Sequence, residues 1–170
     1  MDLGQLLRDV PDFPKPGILF KDITPLLASP AGMQAAIEQL AAIDVGKIDK
    51  VAAIESRGFL FGMPLAMRLG VGFVPVRKPG KLPWKTNRVE YVLEYGTDAI
   101  EIHQDAIARG ERVLLVDDVL ATGGTMAAAI ELVQACGGEV AACLFAVELG
   151  FLHGRARLGT HPAHSLVALA

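Results

Sequence analysis

The sequence predicts a doubly wound α/β domain, with a mainly parallel central sheet and helices on both faces. Three observations carry this. Short aliphatic runs alternate with helical runs along the chain, the order that builds βαβ units. The run Val113-Leu114-Leu115-Val116 has no polar alternation, which marks a strand buried on both faces. Glycine-containing loops join strand ends to helix starts, where open α/β sheets bind their ligands.

The elements follow in order. Pro11 to Pro16 holds three prolines and reads as extended and turn-rich. Ser29-Pro30 reads as an N-cap with proline at the first helical position, opening a helix to about Ile43. Its apolar face is Met33, Ala36, Ile37, Leu40 and Ile43. Val51 to Ile54 is a short buried strand. Phe59 to Leu69 is helical, broken or started late by Pro64. Val71 to Val76 is a strand, and the basic, Pro/Gly-containing stretch Arg77 to Asn87 is a mobile loop. Val89 to Leu93 and Ala99 to His103 form a strand pair around a turn-like break. Arg112 to Val116 is a strand and Met126 to Cys136 a helix. Gly137-Gly138 separates that helix from a strand at Val140 to Val147. A loop with a short helix near Arg155 leads to a last strand at Ser165 to Leu169.

Composition bounds the function. With 170 residues the chain forms one domain, residues 1–170, with one sizeable core. Hydrophobic residues make up 52% and mean hydropathy is +0.40, yet no apolar stretch reaches the ~18 residues of a membrane span. The excess is expected in a buried sheet and an oligomer interface. The start Met1-Asp2-Leu3-Gly4 lacks a secretory pattern. Cys136 and Cys143 have no metal-type spacing and suit buried free thiols in a reducing compartment, so a cytoplasmic location is expected. A net charge of −3 argues against a nucleic-acid surface.

The chemistry concentrates after the strand Arg112 to Val116. Asp117 and Asp118 stand at its end, and Ala121-Thr122-Gly123-Gly124-Thr125 opens the next helix. Glycines let the backbone approach a phosphate, and a helix start offers unpaired N–H groups and a positive dipole end. Two carboxylates able to grip a diol beside a phosphate loop suit a phosphorylated sugar. Glu55-Ser56-Arg57-Gly58 is a second strand-to-helix loop at the same sheet edge. Its Arg57 suits a diphosphate, although the same pattern fits an exposed connector. Arg77, Lys78 and Lys81 put three cations on one loop, suited to closing over a polyanion or to a solvated turn. Glu94 is a carboxylate at an apolar strand end, equally suited to proton transfer and to an ordinary strand end. Phe13 to Asp22 sets an aromatic ring and free backbone groups where they suit a flat base or simple packing on the core. The four histidines show no metal-site spacing.

The run Val113 to Thr125 resembles the phosphoribosyl diphosphate signature of the type I phosphoribosyltransferases at every position. The segments Phe13 to Pro25, Glu55 to Gly62, Arg77 to Pro83, Leu93 to His103 and Glu148 to Leu158 extend the resemblance nearly end to end. They point to the adenine-specific branch of that family, in its bacterial form. The resemblance implies a small hood beside the sheet, an N-terminal base-binding arm over about residues 11–25 and a flexible hood loop over about 77–97. It implies transfer of a phosphoribosyl group from 5-phosphoribosyl 1-diphosphate to adenine, giving AMP and diphosphate, for purine salvage. Mg²⁺ would be bound mainly through substrate and water, without a protein metal site, and the chain would form a homodimer.

Carried over by position, the resemblance implies that Ala121, Thr122, Gly123, Gly124 and Thr125 hold the 5′-phosphate. Asp117 and Asp118 would hold the ribose hydroxyls. Glu55, Ser56 and Arg57 would meet the diphosphate, and Arg77, Lys78 and Lys81 would come from the hood. Leu19 and Lys21 would address the base through their backbones, between Phe20 and Leu149. Glu94, Arg57 and Lys81 would serve catalysis. A cis peptide between Glu55 and Ser56 is also implied. Transfer to hypoxanthine or guanine is a competing reading, against which the Leu19 to Lys21 segment argues. A nucleotide-sensing regulator is another, for which the chain has no room to carry a DNA-binding appendage.

Overall fold

The computed structural model describes residues 1–93 and 96–170. The chain opens with an antiparallel strand pair, β1 (Arg8–Pro11) and β2 (Leu19–Asp22), with Pro11 opposite Leu19. The proline-rich stretch between them is the connecting turn. Asp12 Oδ1 accepts the Gly17 amide at 2.7 Å, the Ile18 carbonyl accepts the Phe13 amide at 3.2 Å, and the Phe13–Pro14 bond is cis. The turn matches the expectation; the strands on either side of it, and the short helix α1 (Thr24–Ala28), carry no local pattern strong enough to announce them. Ser29 caps α2 (Pro30–Ala41) as expected, its Oγ accepting from the Gly32 amide at 3.0 Å.

Strand β3 (Lys50–Ile54) leads into α3 (Gly58–Leu69), followed by β4 (Gly72–Val76). Pro64 neither breaks nor delays α3, which corrects the expectation. Its missing N–H forgoes one bond, to the carbonyl of Leu60, and Leu60 lies on the exposed side of the helix at 43%. A hairpin of β5 (Thr86–Val92) and β6 (Thr97–His103) stands apart from the main sheet, joined to the end of β4 by a bridge from Arg77 to Glu101. Then come β7 (Arg112–Leu120), α4 (Gly124–Ala135) and β8 (Glu139–Leu149). The expected short helix near Arg155 is a 3₁₀ turn, Gly154–Leu158, preceded by another, Gly150–Leu152, before β9 (Ala163–Leu169).

The main sheet has the order β4-β3-β7-β8-β9, and all its neighbours are parallel. This is the doubly wound α/β fold the sequence predicts. Apolar side chains fill both faces. On one face Ala36, Ile37 and Leu40 of α2 and Phe61, Leu65 and Ala66 of α3 pack on Val51, Ala53, Leu114 and Val116. On the other, Met126, Ile130 and Val133 of α4 and Ile100 and Ile102 of β6 pack on Ala52, Ile54, Leu115 and Phe145. The hairpin is thus rooted in the core through β6. Cys136 and Cys143 are free, and burial pushes the Cys143 thiol up to about 12, where it acts as apolar filling. No helix among the described residues is long and apolar enough to cross a membrane.

Strand β7 runs four residues past the expected end at Val116. Its pairing explains why. Contact with β3 stops at Ala53 opposite Val116, whereas β8 continues to pair with it through Leu120 opposite Glu148. Beyond Val116 the strand has a neighbour on one side only. A crevice opens on the other, between the ends of β3 and β7, where the strand order reverses.

Candidate active site

Three cavities meet in this crevice, sharing Asp117 and Thr125. The smallest, about 70 Å³, lies against the loop from Ala121 to Thr125. The second, about 420 Å³, is lined by Glu55, Ser56, Arg57, Lys78 and the acidic pair. The third, about 750 Å³, is lined by Leu19, Phe20, Lys21, Leu149, Phe151 and Leu152 among others.

The first cavity is a helix start. Gly123 has φ +82°, the left-handed region, and caps α4. A side chain there is also excluded by packing, since a Cβ would stand 2.3 Å from the Gly154 carbonyl oxygen. Gly154 is equally constrained, for its Cβ would stand 2.2 Å from the Ala121 carbonyl oxygen. The loop and the turn beyond β8 are therefore in contact backbone to backbone. This leaves the Thr122 and Thr125 hydroxyls and the first amides of α4 at the cavity.

The second cavity is built by β3 handing over to α3. The Glu55–Ser56 peptide is cis, as the family resemblance implies. Gly58 brings the start of α3 against β7: a Cβ there would lie 2.9 Å from Asp117 Oδ1 and 3.1 Å from the Val116 carbonyl oxygen. Asp118 is 4% exposed, and the Arg57 Nε stands 2.6 Å from its Oδ2. That oxygen accepts no hydrogen bond among the described residues. Burial, and next the charge of Asp118, push the Asp117 carboxyl well above its usual range. Asp117 is thus held at a cost, a common mark of a functional carboxylate.

Glu55 joins this cavity to the hood. Its Oε1 accepts the Lys78 amide, and its Oε2 lies 3.3 Å from Arg77 Nη2. Of the three loop cations, the structure brings Lys78 to the cavities. Arg77 turns to Glu55 and to the Lys81 carbonyl at 3.4 Å, and Lys81 is exposed and lines none of the three. Glu94 lies outside the described residues.

The third cavity is apolar and wide. Phe20 meets Phe13 edge to face at 5.1 Å. Lys21 Nζ lies 2.5 Å from Asp9 Oδ1, which ties the side chain to the arm. Sequence reasoning placed Leu149 and the segment with Gly17 and Ile18 here but missed Val119, Phe151 and Leu152. The signal for the last two was present: they follow the end of β8, the same sheet edge as the other site residues. Glu148, 8% exposed, secures that turn. It receives Arg155 Nε and Nη2 at 2.6 Å each and Ser165 Oγ at 2.6 Å. The Arg155 bond lowers the Glu148 carboxyl below its usual range.

Asp117 has a stability consequence. A carboxyl raised by the fold favours folding most below its unfolded value, and that contribution is lost as pH rises through the folded one. Asp117→Asn keeps an oxygen for the Asp118 amide, which Asp117 Oδ1 accepts at 2.9 Å, and removes the charge. The ligand-free variant should melt a few degrees above the parent at pH 8, with a smaller gap at pH 5. Thermal scans with a gap that narrows from pH 5 to pH 8 would contradict this.

Comparison with known proteins accords with this geometry. The phosphoribosyl transferase domain model matches residues 22–157. The adenine phosphoribosyltransferase of a Roseiflexus species is 55% identical over 167 residues, covering 98% of this chain and 97% of its own. The crystal structure of adenine phosphoribosyltransferase from Thermoanaerobacter pseudethanolicus superposes with a TM-score of 0.95 at 55% identity, over 98% of each chain. That of Saccharomyces cerevisiae, complexed with D-2,5-dideoxy-2,5-imino-altritol 1,6-bisphosphate and adenine, gives 0.91 at 45% identity over 96% of each. With its signature loop, acidic pair and hood all set around one crevice, the chain belongs to the adenine phosphoribosyltransferase family.

Proposed function

We propose that the crevice transfers the 5-phosphoribosyl group of 5-phosphoribosyl 1-diphosphate to adenine, giving AMP and diphosphate in purine salvage. The observation that carries this is the meeting of three cavities of different chemistry at Asp117 and Thr125. A phosphate loop, an acid-and-arginine pocket and an apolar slot match the phosphate, sugar diphosphate and base of one substrate pair. The yeast relative holds adenine together with a sugar-like bisphosphate.

In this reading Ala121 to Thr125 bind the 5′-phosphate through amides and hydroxyls. Asp117 and Asp118 hold the ribose hydroxyls and place negative charge beside the sugar carbon as it becomes cation-like. Arg57, with the Ser56 amide, receives the diphosphate, and Glu55 sets the strap that carries Arg77 and Lys78. Lys81 and Glu94 act from the hood, Lys81 on the departing charge and Glu94 on the proton that adenine gives up. The bond from the sugar carbon to the diphosphate oxygen breaks, and diphosphate leaves with the electron pair. A bond from that carbon to a ring nitrogen of adenine forms. Leu19 and Lys21 address the base through their backbones, between Phe20 and Leu149.

Among the described residues, His, Cys, Asp and Glu do not gather into a metal-binding group of three. The proposed Mg²⁺ would be held mainly by substrate oxygens and water, with Asp117 and Asp118 as the nearby carboxylates. When bound, it neutralises charge on the leaving diphosphate. Location in the cytoplasm, away from membrane and nucleic acid, is supported by the free thiols and the net charge of −3.

A homodimer completes the reading. Leu60, Met63 and Met67 recur at helical spacing on the outer face of α3, exposed by 43%, 46% and 73%. Covering this stripe with a second copy places the interface beside the Arg57 loop. Light scattering at micromolar concentration should give twice the chain mass, and a monomer mass would count against it.

Base choice tests the reaction. A pocket that donates to adenine N1 and accepts from its 6-amino group is mismatched against a 6-oxo purine, at roughly 1–3 kcal/mol for each unpaired group. Adenine turnover should exceed that of hypoxanthine and guanine by at least about tenfold to a hundredfold. Comparable kcat/KM for adenine and hypoxanthine would sink the reading. Thr125→Val removes one hydroxyl donor and should weaken AMP binding roughly tenfold while the melting temperature holds. Calorimetry showing unchanged AMP affinity would contradict the phosphate assignment.

A further inference from the structure

Each described cation that borders the second cavity, or is strapped to it, already has a carboxylate partner. Arg57 pairs with Asp118, Arg77 with Glu55, and Lys78 with Asp98. Two of these acids belong to the crevice. Asp98 does not: it lines none of the three cavities, and stands on the core-facing side of the hairpin, the same face as Ile100 and Ile102.

The grip on Lys78 is specific. Tyr91 and Asp98 are directly opposite on β5 and β6, so the hairpin fixes them as a pair. Asp98 Oδ1 accepts the Ala99 amide at 2.8 Å. Its Oδ2 receives Lys78 Nζ and the Tyr91 hydroxyl, the latter at 3.2 Å, and Tyr91 in turn lies 3.3 Å from Lys78 Nζ. At the other end of the residue, the Lys78 amide is held by Glu55. Between these anchors the lysine borders the cavity that Arg57 and Thr125 also line.

We propose that Asp98 is a positioning residue: a resident counter-charge that holds Lys78 at the cavity and yields it to the incoming diphosphate. The inference rests on reading that cavity as the diphosphate subsite. A partly buried ammonium without a counter-charge is costly. Burial alone would push the Lys78 ammonium down, and the bonds from Asp98 and Tyr91 outweigh it and hold it up. Asp98 in turn is lowered, chiefly by its bond from Lys78. A diphosphate brings more negative charge than one carboxylate and has oxygens to match all three lysine donors. Occupation of the cavity therefore shifts the lysine from Asp98 to phosphate. Asp98 keeps the site ordered when empty and competes with the ligand when it arrives.

Removing the competitor should tighten binding. In calorimetry with magnesium diphosphate, Asp98→Asn should bind about 3–10-fold more tightly than the parent, since the amide keeps an acceptor for Lys78 without its charge. KM for 5-phosphoribosyl 1-diphosphate should fall by a similar factor while KM for adenine holds. Lys78→Met should bind diphosphate about tenfold more weakly, and in the double variant the gain from Asp98→Asn should vanish. A gain of equal size in the Lys78→Met background would make Asp98 a distant charge only and overturn the proposal. So would weakened or unchanged diphosphate binding in Asp98→Asn while Lys78→Met loses affinity. Unchanged affinity in Lys78→Met would instead dismiss the cavity as the diphosphate subsite, and the proposal with it.

Discussion

The structure depends on where two strands part. β3 and β7 stay paired to Ala53 and Val116, and β7 then goes on with β8 alone. That divergence places the site residues that β3 and β7 carry. On one side β3 ends and delivers Glu55, Ser56 and Arg57. On the other, β7 carries Asp117 and Asp118 along a free edge. Because β8 still supports β7 through Glu148, the acids sit on a rigid strand rather than on a loop, which suits a site that must hold a ligand in one orientation. Gly58 lets α3 begin against Asp117 and so keeps the crevice narrow.

The crevice is filled with charge of both signs, arranged in pairs. Buried charges survive only when partnered. Asp118 has Arg57, Glu55 has Arg77, and Glu148 has Arg155. These pairs do separate jobs. Glu148 locks the turn that carries Phe151 and Leu152, while Glu55 ties the hood strap to the β3 loop. The loop from Ala121 to Thr125 and the turn beyond β8 touch through Gly123 and Gly154, so the first and third cavities share one support.

What the sequence disclosed was what local chemistry controls. The aliphatic run before Asp117, the glycine-threonine loop and the Ser29-Pro30 helix start each act within a few residues, and each is found where expected. The length of β7 was not legible, because an acidic pair resembles a strand end and only the reach of β8 shows otherwise. Pro64 suggested a break that a single lost bond on an exposed side does not impose. The partners of the cations were hidden for a related reason. Asp98 lies 20 residues from Lys78, and only the pairing of β5 with β6 brings it there. Phe151 and Leu152 read as ordinary apolar residues until the turn after β8 aims them at the cleft. The resemblance to known family members supplied roles for Leu19, Lys21 and Glu94 that spacing alone could not.

The most direct measurement is a crystal structure of the chain with AMP and magnesium diphosphate. The nucleotide phosphate should lie on the amides and hydroxyls of Ala121 to Thr125. The ribose hydroxyls should meet Asp117 and Asp118, adenine should lie between Phe20 and Leu149, and diphosphate should lie on Ser56, Arg57 and Lys78. AMP bound with its phosphate away from the Ala121 to Thr125 loop, or its ribose out of reach of both acids, would contradict this assignment.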